Sequence, residues 1–176
     1  MNEHCTFTTE RLILRPTSVD DAELLYQLMN TPKFLLYIGD RNVGSVQQAQ
    51  AYIEANMLPQ QQQRGFSTYT LITKAKGEKI GTCGLYDREG VDGIDLGFAL
   101  LPPYEGMGYG YESSCRLIQA AFEEFALMEL KAITTKTNTS SQRLLEKLGF
   151  EKVGVKTLPD GHEELFLYSI EKKSHE

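Results

Sequence analysis

The chain of 176 residues has no tryptophan and is poor in cysteine, histidine and proline, with three, three and six of each. The odd number and wide spacing of the cysteines exclude a disulfide framework and match no zinc pattern. We expect free thiols that are mostly buried as small apolar side chains, with Cys115 in a helix core. The scattered histidines make a metal site improbable; they are His4, His162 and His175.

Basic charge is also scarce. The 18 Lys and Arg residues are outnumbered by 24 Asp and Glu, which gives a net charge of −6 and argues against a nucleic-acid partner. No apolar run approaches the roughly 20 residues that span a bilayer. The first ten residues, MNEHCTFTTE, have neither the basic nor the apolar region of a secretory signal. We therefore expect a cytoplasmic protein with no membrane partner.

What is present predicts one α/β (α+β mixed-sheet) domain over residues 1–176, with its core at about 8–172. The segment ERLILRPTS reads as a first strand, and Ser18 begins a helix that ends before Pro32. The segment FLLYIGDRNVGS then reads as a connector. Ser45 and Gln48 form a predicted capping box for a second helix, and the glutamines from 60 to 63 are expected to be its frayed, solvated end.

The second half of the chain alternates strands with turns. The segments FSTYTLITK, KIGTCGLYD and IDLGFAL predict an antiparallel meander. A helix follows, and the threonine-rich LKAITTKT after it predicts a parallel strand reached by a crossover. SSQRLLEKLGF predicts a short helix capped by Gly149, and the chain closes as a hairpin over Pro159–Gly161. The predicted order is β-α-α-β-β-β-α-β-α-β-β.

The stretch YEGMGYGYES places Gly106, Gly108 and Gly110 at the start of a helix, where glycine is costly. Unpaired N–H groups and partial positive charge at a helix N-terminus attract anions, and glycine lets a phosphate approach them. The alternative is that the glycines only relieve crowding in a tight strand-to-helix turn. The spacing G-x-G-x-G differs from the dinucleotide-binding G-x-G-x-x-G, and no Gly-Lys-Ser/Thr of a P-loop follows.

Three blocks together resemble the GNAT N-acetyltransferases, in particular the RimJ/RimL-like branch. DLGFALLPPYEGMGYGYES is similar to the family's acyl-CoA-binding motif, and NTSSQRLLEKLGF is similar to its Asn-x-x-Ser helix. ERLILRPTSVDDAELLYQL is similar to its first strand and helix. The resemblance covers nearly the whole chain and implies the GNAT fold, in which the strand before the glycine loop splays away from the parallel strand after the helix.

The resemblance implies that acetyl-CoA binds in this cleft, without a metal. The loop amides would hold its pyrophosphate, and the neighbouring strand would pair with its pantetheine, with the Leu100 N–H as donor to the thioester oxygen. The residues implied in cofactor binding are Phe98, Ala99, Leu100, Glu105, Gly106, Met107, Gly108, Tyr109, Gly110, Tyr111, Asn138 and Arg143.

The implied reaction is direct attack of a neutral amine on the acetyl group, which needs a base and an acid. Ser141 is the candidate acid, with Asn138 positioning the acyl chain or pantetheine, and Asp95 is the candidate base. Plainer roles stay open: the Asn-Thr-Ser-Ser cluster is also a helix cap, Asp95 is equally a solvated strand carboxylate, and Glu112 favours the helix N-terminus without catalysis.

Glu105 and Met107 depart from the family pattern, in which Gln or Arg and Lys are common at these places. Both changes make the loop less positive, so they predict weaker CoA binding or compensation by Arg143 or Lys147. The acceptor would be a protein N-terminus or a small-molecule amine, bound between the connector and the acidic final hairpin. A monomer or a homodimer fits equally well.

The sequence therefore predicts an acetyl-CoA-dependent N-acetyltransferase. The alternative is an acyl-CoA-binding sensor or scaffold that keeps the cleft without turnover. A nucleotide-dependent kinase or ligase is disfavoured, because the lysine and the metal-binding carboxylates of such enzymes are missing.

Overall fold

A mixed sheet of eight strands organises the computed structural model, which describes residues 5–174. The strands are β1 (Phe7–Thr8), β2 (Leu12–Pro16), β3 (Thr68–Thr73), β4 (Lys79–Tyr86), β5 (Asp95–Leu100), β6 (Glu129–Thr135), β7 (Glu151–Lys156) and β8 (Leu165–Glu171). The helices are α1 (Ala22–Met29), α2 (Pro32–Tyr37), α3 (Val46–Asn56), α4 (Leu58–Arg64), α5 (Tyr109–Glu123) and α6 (Thr139–Leu148).

The strand order is β1-β2-β3-β4-β5-β6-β8-β7, and every neighbouring pair is antiparallel except β5 and β6. The predicted meander is therefore confirmed as β3–β5, and the predicted parallel pair is β5 with β6, joined through α5. The closing hairpin and the left-handed Gly149 cap, at φ 102°, are also as predicted. The short β1 was not predicted.

Two segments predicted as irregular are helical. A helix, α2, begins just before the predicted connector and runs into it: the Thr31 side chain accepts a hydrogen bond from the Phe34 N–H, and Pro32 occupies the first turn. The glutamines predicted to fray form α4 instead. Gln61 is buried, and the Gln60 side chain donates to the carbonyls of Phe66 and Leu85. The Gln60 amide thus satisfies the carbonyl of Phe66, just before β3, and that of Leu85 in β4, which orders the segment.

Helices cover both faces of the sheet. On one face, α5 and α6 pack against the strands in the larger apolar cluster, which contains Leu14, Leu71, Leu96 and Leu117. On the other face, α1–α3 form a second cluster that includes Leu25 and Ile53. Within residues 5–174 no helix is long and apolar enough to cross a membrane. The single domain over residues 1–176 stays a prediction.

A buried carboxylate that the sequence did not reveal ties α1 to the sheet. Asp21 is fully buried, with Arg15 Nη2 at 2.7 Å, Lys79 Nζ at 2.8 Å and the Thr70 hydroxyl at 2.9 Å. Burial opposes ionisation, yet the hydrogen bonds from Arg15 and Lys79 lower the pKa of Asp21 to about 2. This network is a structural element of the fold.

The cysteines are free thiols, as predicted, but two of the three are exposed. Only Cys83 is buried, and burial raises the pKa of its thiol to about 11. The prediction that Cys115 lies in a helix core was wrong, because it lies on the solvent-facing side of α5. His4 and His175 lie outside the described residues.

Candidate active site

The two parallel strands meet at one point and then separate. Asp95 of β5 is in register with Lys131 of β6, and the Lys131 N–H donates to the Ile94 carbonyl at 2.8 Å. No further register pair joins them in the described part of the chain, although β5 continues to Leu100 and β6 to Thr135. The strands thus open a cleft toward their carboxyl ends.

The register decides which backbone groups of β5 face this cleft. The Leu101 N–H donates to Ile80 of β4 at 2.8 Å, and the Ile94 carbonyl points to β6. Because successive residues direct their backbone groups to opposite edges, Phe98 and Leu100 direct theirs into the cleft. Ala99 is in register with Thr82 and directs its backbone groups at β4. The expectation that the Ala99 backbone pairs with pantetheine is therefore corrected.

The glycine loop lies at the open end of the cleft. A 3-10 turn over Pro102–Tyr104 follows β5, and α5 begins at Tyr109. Gly106 and Gly108 have φ of 72° and 84°, where side chains are strained, and a Cβ on Gly106 would meet nothing within 4 Å. A Cβ on Gly110 would lie 3.4 Å from Leu144 and 3.6 Å from Phe98. These distances are ordinary van der Waals contacts, so relief of crowding accounts for neither Gly106 nor Gly110.

The loop presents a run of unpaired donors. Among residues 5–174, none of the backbone N–H groups from Gly106 to Tyr111 has a hydrogen-bond partner, and no side chain caps α5. The next N–H, of Glu112, donates to the Gly108 carbonyl at 3.0 Å and begins the helical pattern. Free N–H groups together with the positive end of the α5 dipole form a site for an anion.

Arg11 supports this loop from behind, a role the sequence did not reveal. Its Nη1 donates to the Met107 carbonyl at 2.9 Å, its Nε lies 2.7 Å from Glu112 Oε1, and its guanidinium carbon lies 4.2 Å from the Tyr109 ring centroid. Glu112 also accepts from the Thr9 hydroxyl. Burial opposes its ionisation, but the bonds from Thr9 and Arg11 lower the pKa of Glu112. Glu112 therefore clamps the loop to the start of β2.

Asn138 and Ser141 lie together at the start of α6. The Asn138 Oδ1 accepts from the Ser141 N–H at 3.2 Å, so Asn138 caps the helix as the plainer interpretation holds. The Ser141 hydroxyl is half-buried and makes no hydrogen bond to any described residue. The capping role therefore uses the backbone of Ser141 and leaves its hydroxyl available.

Asp95 lies where β5 and β6 still touch, on the sheet face that α1 and α3 cover. It is 1% exposed, which excludes a solvated carboxylate. Arg88 Nε lies 3.4 Å from both of its oxygens. Burial raises the pKa of Asp95 above its ordinary range, and the nearby Arg88 opposes the rise without cancelling it.

The fold that carries this cleft and loop is shared with known proteins. The family model for the acetyltransferase (GNAT) domain matches residues 11–151. The chain belongs to the GNAT acetyltransferase family.

Individual relatives agree with this assignment. The uncharacterized N-acetyltransferase p20 of Bacillus licheniformis is 32% identical over 152 residues, covering 85% of this chain and 84% of its own. An acetyltransferase crystal structure from Agrobacterium tumefaciens str. C58 superposes with a TM-score of 0.82 at 23% identity, covering 97% and 96% of the two chains. The structure of RimL, a ribosomal L7/L12 N-acetyltransferase, in complex with coenzyme A superposes with a TM-score of 0.79 at 18% identity, covering 95% of this chain and 98% of its own. The fold and the N-acetyltransferase class expected from the sequence are confirmed.

Glu105 and Met107, the two loop residues that depart from the family pattern, have different surroundings. Glu105 is paired with Lys33 of α2, with Nζ and Oε2 at 2.7 Å. Met107 is exposed. Of the two compensating cations predicted, Lys147 lies 4.2 Å from the centroid of the Tyr111 ring, and Arg143 is exposed without an ion pair in the described part of the chain.

Apolar and aromatic side chains lie in and near the segments that were expected to bind the acceptor. Leu35 and Leu36 of α2 and Ile38 directly after it are exposed. The Tyr86 side chain lies over Gly84 and Gly97, where a Cβ would come within 2.4 Å and 3.2 Å of it. The final hairpin is less acidic than its sequence indicates, because Glu164 is paired with Lys136. Asp160 and Glu163 are exposed. No cluster of metal-ligating side chains occurs between residues 5 and 174.

Proposed function

We propose that this acetyltransferase moves an acetyl group from acetyl-CoA to a primary amine in a ternary complex, without an acyl-enzyme. One observation carries the proposal: the backbone N–H groups from Gly106 to Tyr111 are unpaired at the open end of the β5–β6 cleft. Their chemistry fits a diphosphate, and the free backbone groups of Phe98 and Leu100 fit the amides of a pantetheine arm. The chain thus offers donors for both parts of the donor substrate.

The bound substrate would supply an acetyl thioester, and the protein would supply polarisation and proton transfer. The Leu100 N–H faces the cleft and is the proposed donor to the thioester oxygen, where negative charge develops during attack. A bond forms between the amine nitrogen and the acetyl carbon, and the carbon–sulfur bond breaks. The Ser141 hydroxyl, free of other hydrogen bonds, would give its proton to the departing thiolate, and Asn138 would hold the helix that carries it.

Asp95 is the proposed base that takes the proton from the ammonium. A raised pKa makes a carboxylate a better base at neutral pH, and the burial of Asp95 raises its pKa. At about 3.3 Å per strand residue, Asp95 lies on the order of 16 Å from Leu100, so we infer that the proton passes through water.

The acceptor is proposed to be a protein N-terminus or a small-molecule amine, and the chain is proposed to lie in the RimJ/RimL-like branch. The similarity in fold to RimL, which acetylates the N-terminus of L7/L12 by its name, supports the first class. The exposed apolar side chains of α2 are compatible with both. Cytoplasmic location and a monomer or homodimer stay predictions.

The test is a panel of small amines and peptide N-termini incubated with acetyl-CoA, read by CoA release and by mass of the acetylated product. The proposal expects acetyl-CoA-dependent product on an amine nitrogen, with loss of turnover in Ser141→Ala. Tight CoA binding with no product from any amine would instead support a sensor or scaffold. Failure to bind CoA would refute the proposal.

A further inference from the structure

The pairing of Lys33 with Glu105 joins the helix α2 to the glycine loop. The two side chains meet at 2.7 Å, and Glu105 directly precedes the unpaired N–H groups that begin at Gly106. Lys33 lies on an ordered support: α2 is capped by Thr31, and Phe34 is buried in the second apolar cluster. The ammonium group is therefore held beside the proposed diphosphate site.

The loop itself contains no cation. Between Pro102 and Tyr111 the sequence contains no Lys or Arg, and Glu105 adds a negative charge. The guanidinium of Arg11 is already engaged by the Met107 carbonyl and the Glu112 carboxylate. On a chain with a net charge of −6, an anionic ligand would meet an unfavourable field without a local positive group.

We propose that Lys33 binds the diphosphate of the acyl-CoA substrate and that Glu105 holds the lysine in place for it. An ammonium group has three N–H donors, and Glu105 uses one, so the others remain for phosphate oxygens. The carboxylate that looked unfavourable in the loop thus serves as the anchor of a cation from another helix. Lys33 is a substrate-binding residue, and Glu105 is a positioning residue. This inference rests on the proposed function.

The pair contributes little to folding, which makes it testable. Lys33 is 65% exposed, and exposed ion pairs add little stability. Lys33→Gln and Glu105→Gln should therefore leave the melting temperature of the protein unchanged. Any effect on the ligand can then be assigned to the ligand site.

A double-mutant cycle separates direct binding of the diphosphate by Lys33 from a role in which Lys33 only neutralises the charge of Glu105. CoA is titrated calorimetrically into wild type, Lys33→Gln, Glu105→Gln and the double variant. Direct binding by a lysine that Glu105 positions predicts that Lys33→Gln weakens CoA binding about five- to tenfold when Glu105 is present, as for the loss of a charge-assisted hydrogen bond, and by a smaller but measurable factor when Glu105 is Gln. Neutralisation alone predicts no effect of Lys33→Gln once Glu105 is Gln, and that result would overturn the proposal.

A second acetyl donor distinguishes a contact between Lys33 and the diphosphate from a general structural effect of the substitution. Acetyl-pantetheine lacks the diphosphate, so Lys33→Gln should raise the KM for acetyl-CoA and leave the KM for acetyl-pantetheine unchanged. An equal rise for both donors would overturn the proposal. Lys173→Gln, an exposed lysine beyond β8, is the matched control and should change neither. Wild type that fails to bind CoA would instead refute the proposed function itself.

Discussion

Charge at Gly106 is the most direct perturbation of the proposed diphosphate site. Gly106 has φ 72°, and a Cβ there would meet nothing within 4 Å, so a small side chain fits without a clash. Asn and Asp have nearly the same shape and are the side chains that best tolerate this conformation. Gly106→Asn therefore reports the strain of the backbone, of the order of 1 kcal/mol. Gly106→Asp adds a negative charge to the same strain.

The expected size of the charge effect follows from its position. A carboxylate at residue 106 would lie about 7 Å from a diphosphate on the neighbouring N–H groups, and with two phosphate charges and an effective dielectric constant of about 40 the repulsion is about 2 kcal/mol. Salt at physiological strength reduces this to about 1 kcal/mol. We therefore expect Gly106→Asp to bind acetyl-CoA about five- to thirtyfold more weakly than Gly106→Asn.

Calorimetric titration of the two variants, at low and at physiological salt, measures this difference. The gap between Asp and Asn should narrow as salt is added, because screening weakens the repulsion. Gly65 is the matched control: it has φ 83° with nothing within 4 Å of a Cβ, and it lies in the turn between α4 and β3. Gly65→Asp should not affect binding. Equal affinities for Gly106→Asp and Gly106→Asn at low salt would refute the reasoning.

Three further predictions concern the loop support, the acid and the buried network. Arg11→Ala removes the contacts to Met107 and Glu112 and should raise the KM for acetyl-CoA about three- to tenfold with little change in kcat. Ser141→Ala should lower kcat on the order of ten- to a hundredfold without changing CoA affinity. The pKa of Asp21 is lowered from 3.8 to about 2, so its stabilisation is complete above pH 3.8 and lost as pH falls through about 2. At neutral pH, the free energy of unfolding of Asp21→Asn should therefore be about 2 kcal/mol below that of wild type. Urea unfolding at a series of pH values should show this difference shrinking below pH 4.

Each of these predictions has a neighbouring control. Arg64→Ala removes an exposed arginine that pairs with Asp87, and a KM change equal to that of Arg11→Ala would contradict the supporting role. Ser140→Ala changes an exposed serine in the same helical turn and should keep full kcat. Asp20→Asn removes an exposed carboxylate beside Asp21, and a stability loss as large as that of Asp21→Asn would contradict the buried network.

Much of the fold could be predicted from the sequence, because the patterns that specify most of its strands and helices are local. Alternation marked the meander β3–β5, and the glycine cap at Gly149 marked the end of α6. The sequence did not predict α2 or α4. The Thr31 cap and Pro32 that begin α2 are local signals, but Pro32 was interpreted only as the end of the preceding helix. The helix α4 depends on a partner that is distant in the chain. The Gln60 amide is ordered by carbonyls at Phe66 and Leu85, and no pattern around residue 60 announces them.

The site could be predicted only where it is contiguous. The glycine loop and the Asn138–Ser141 cap are short motifs, and the structure places both at the ends of the helices that follow β5 and β6. Arg11 and Lys33 reach partners that are far away in the sequence: Arg11 is 101 positions from Glu112, and Lys33 is 72 positions from Glu105. A side chain of this kind is identified by folded geometry, because a lone surface lysine or arginine has no sequence signature.

The central claim is that acetyl-CoA lies with its diphosphate on the N–H groups from Gly106 to Tyr111. Two-dimensional ¹H–¹⁵N NMR during titration with acetyl-CoA tests it residue by residue. The amide signals of Gly106, Gly108 and Gly110 should move or broaden strongly, while that of Gly65, in the turn between α4 and β3, should stay in place. Glycine signals in the loop that do not respond to saturating acetyl-CoA, or that move no more than that of Gly65, would contradict the account.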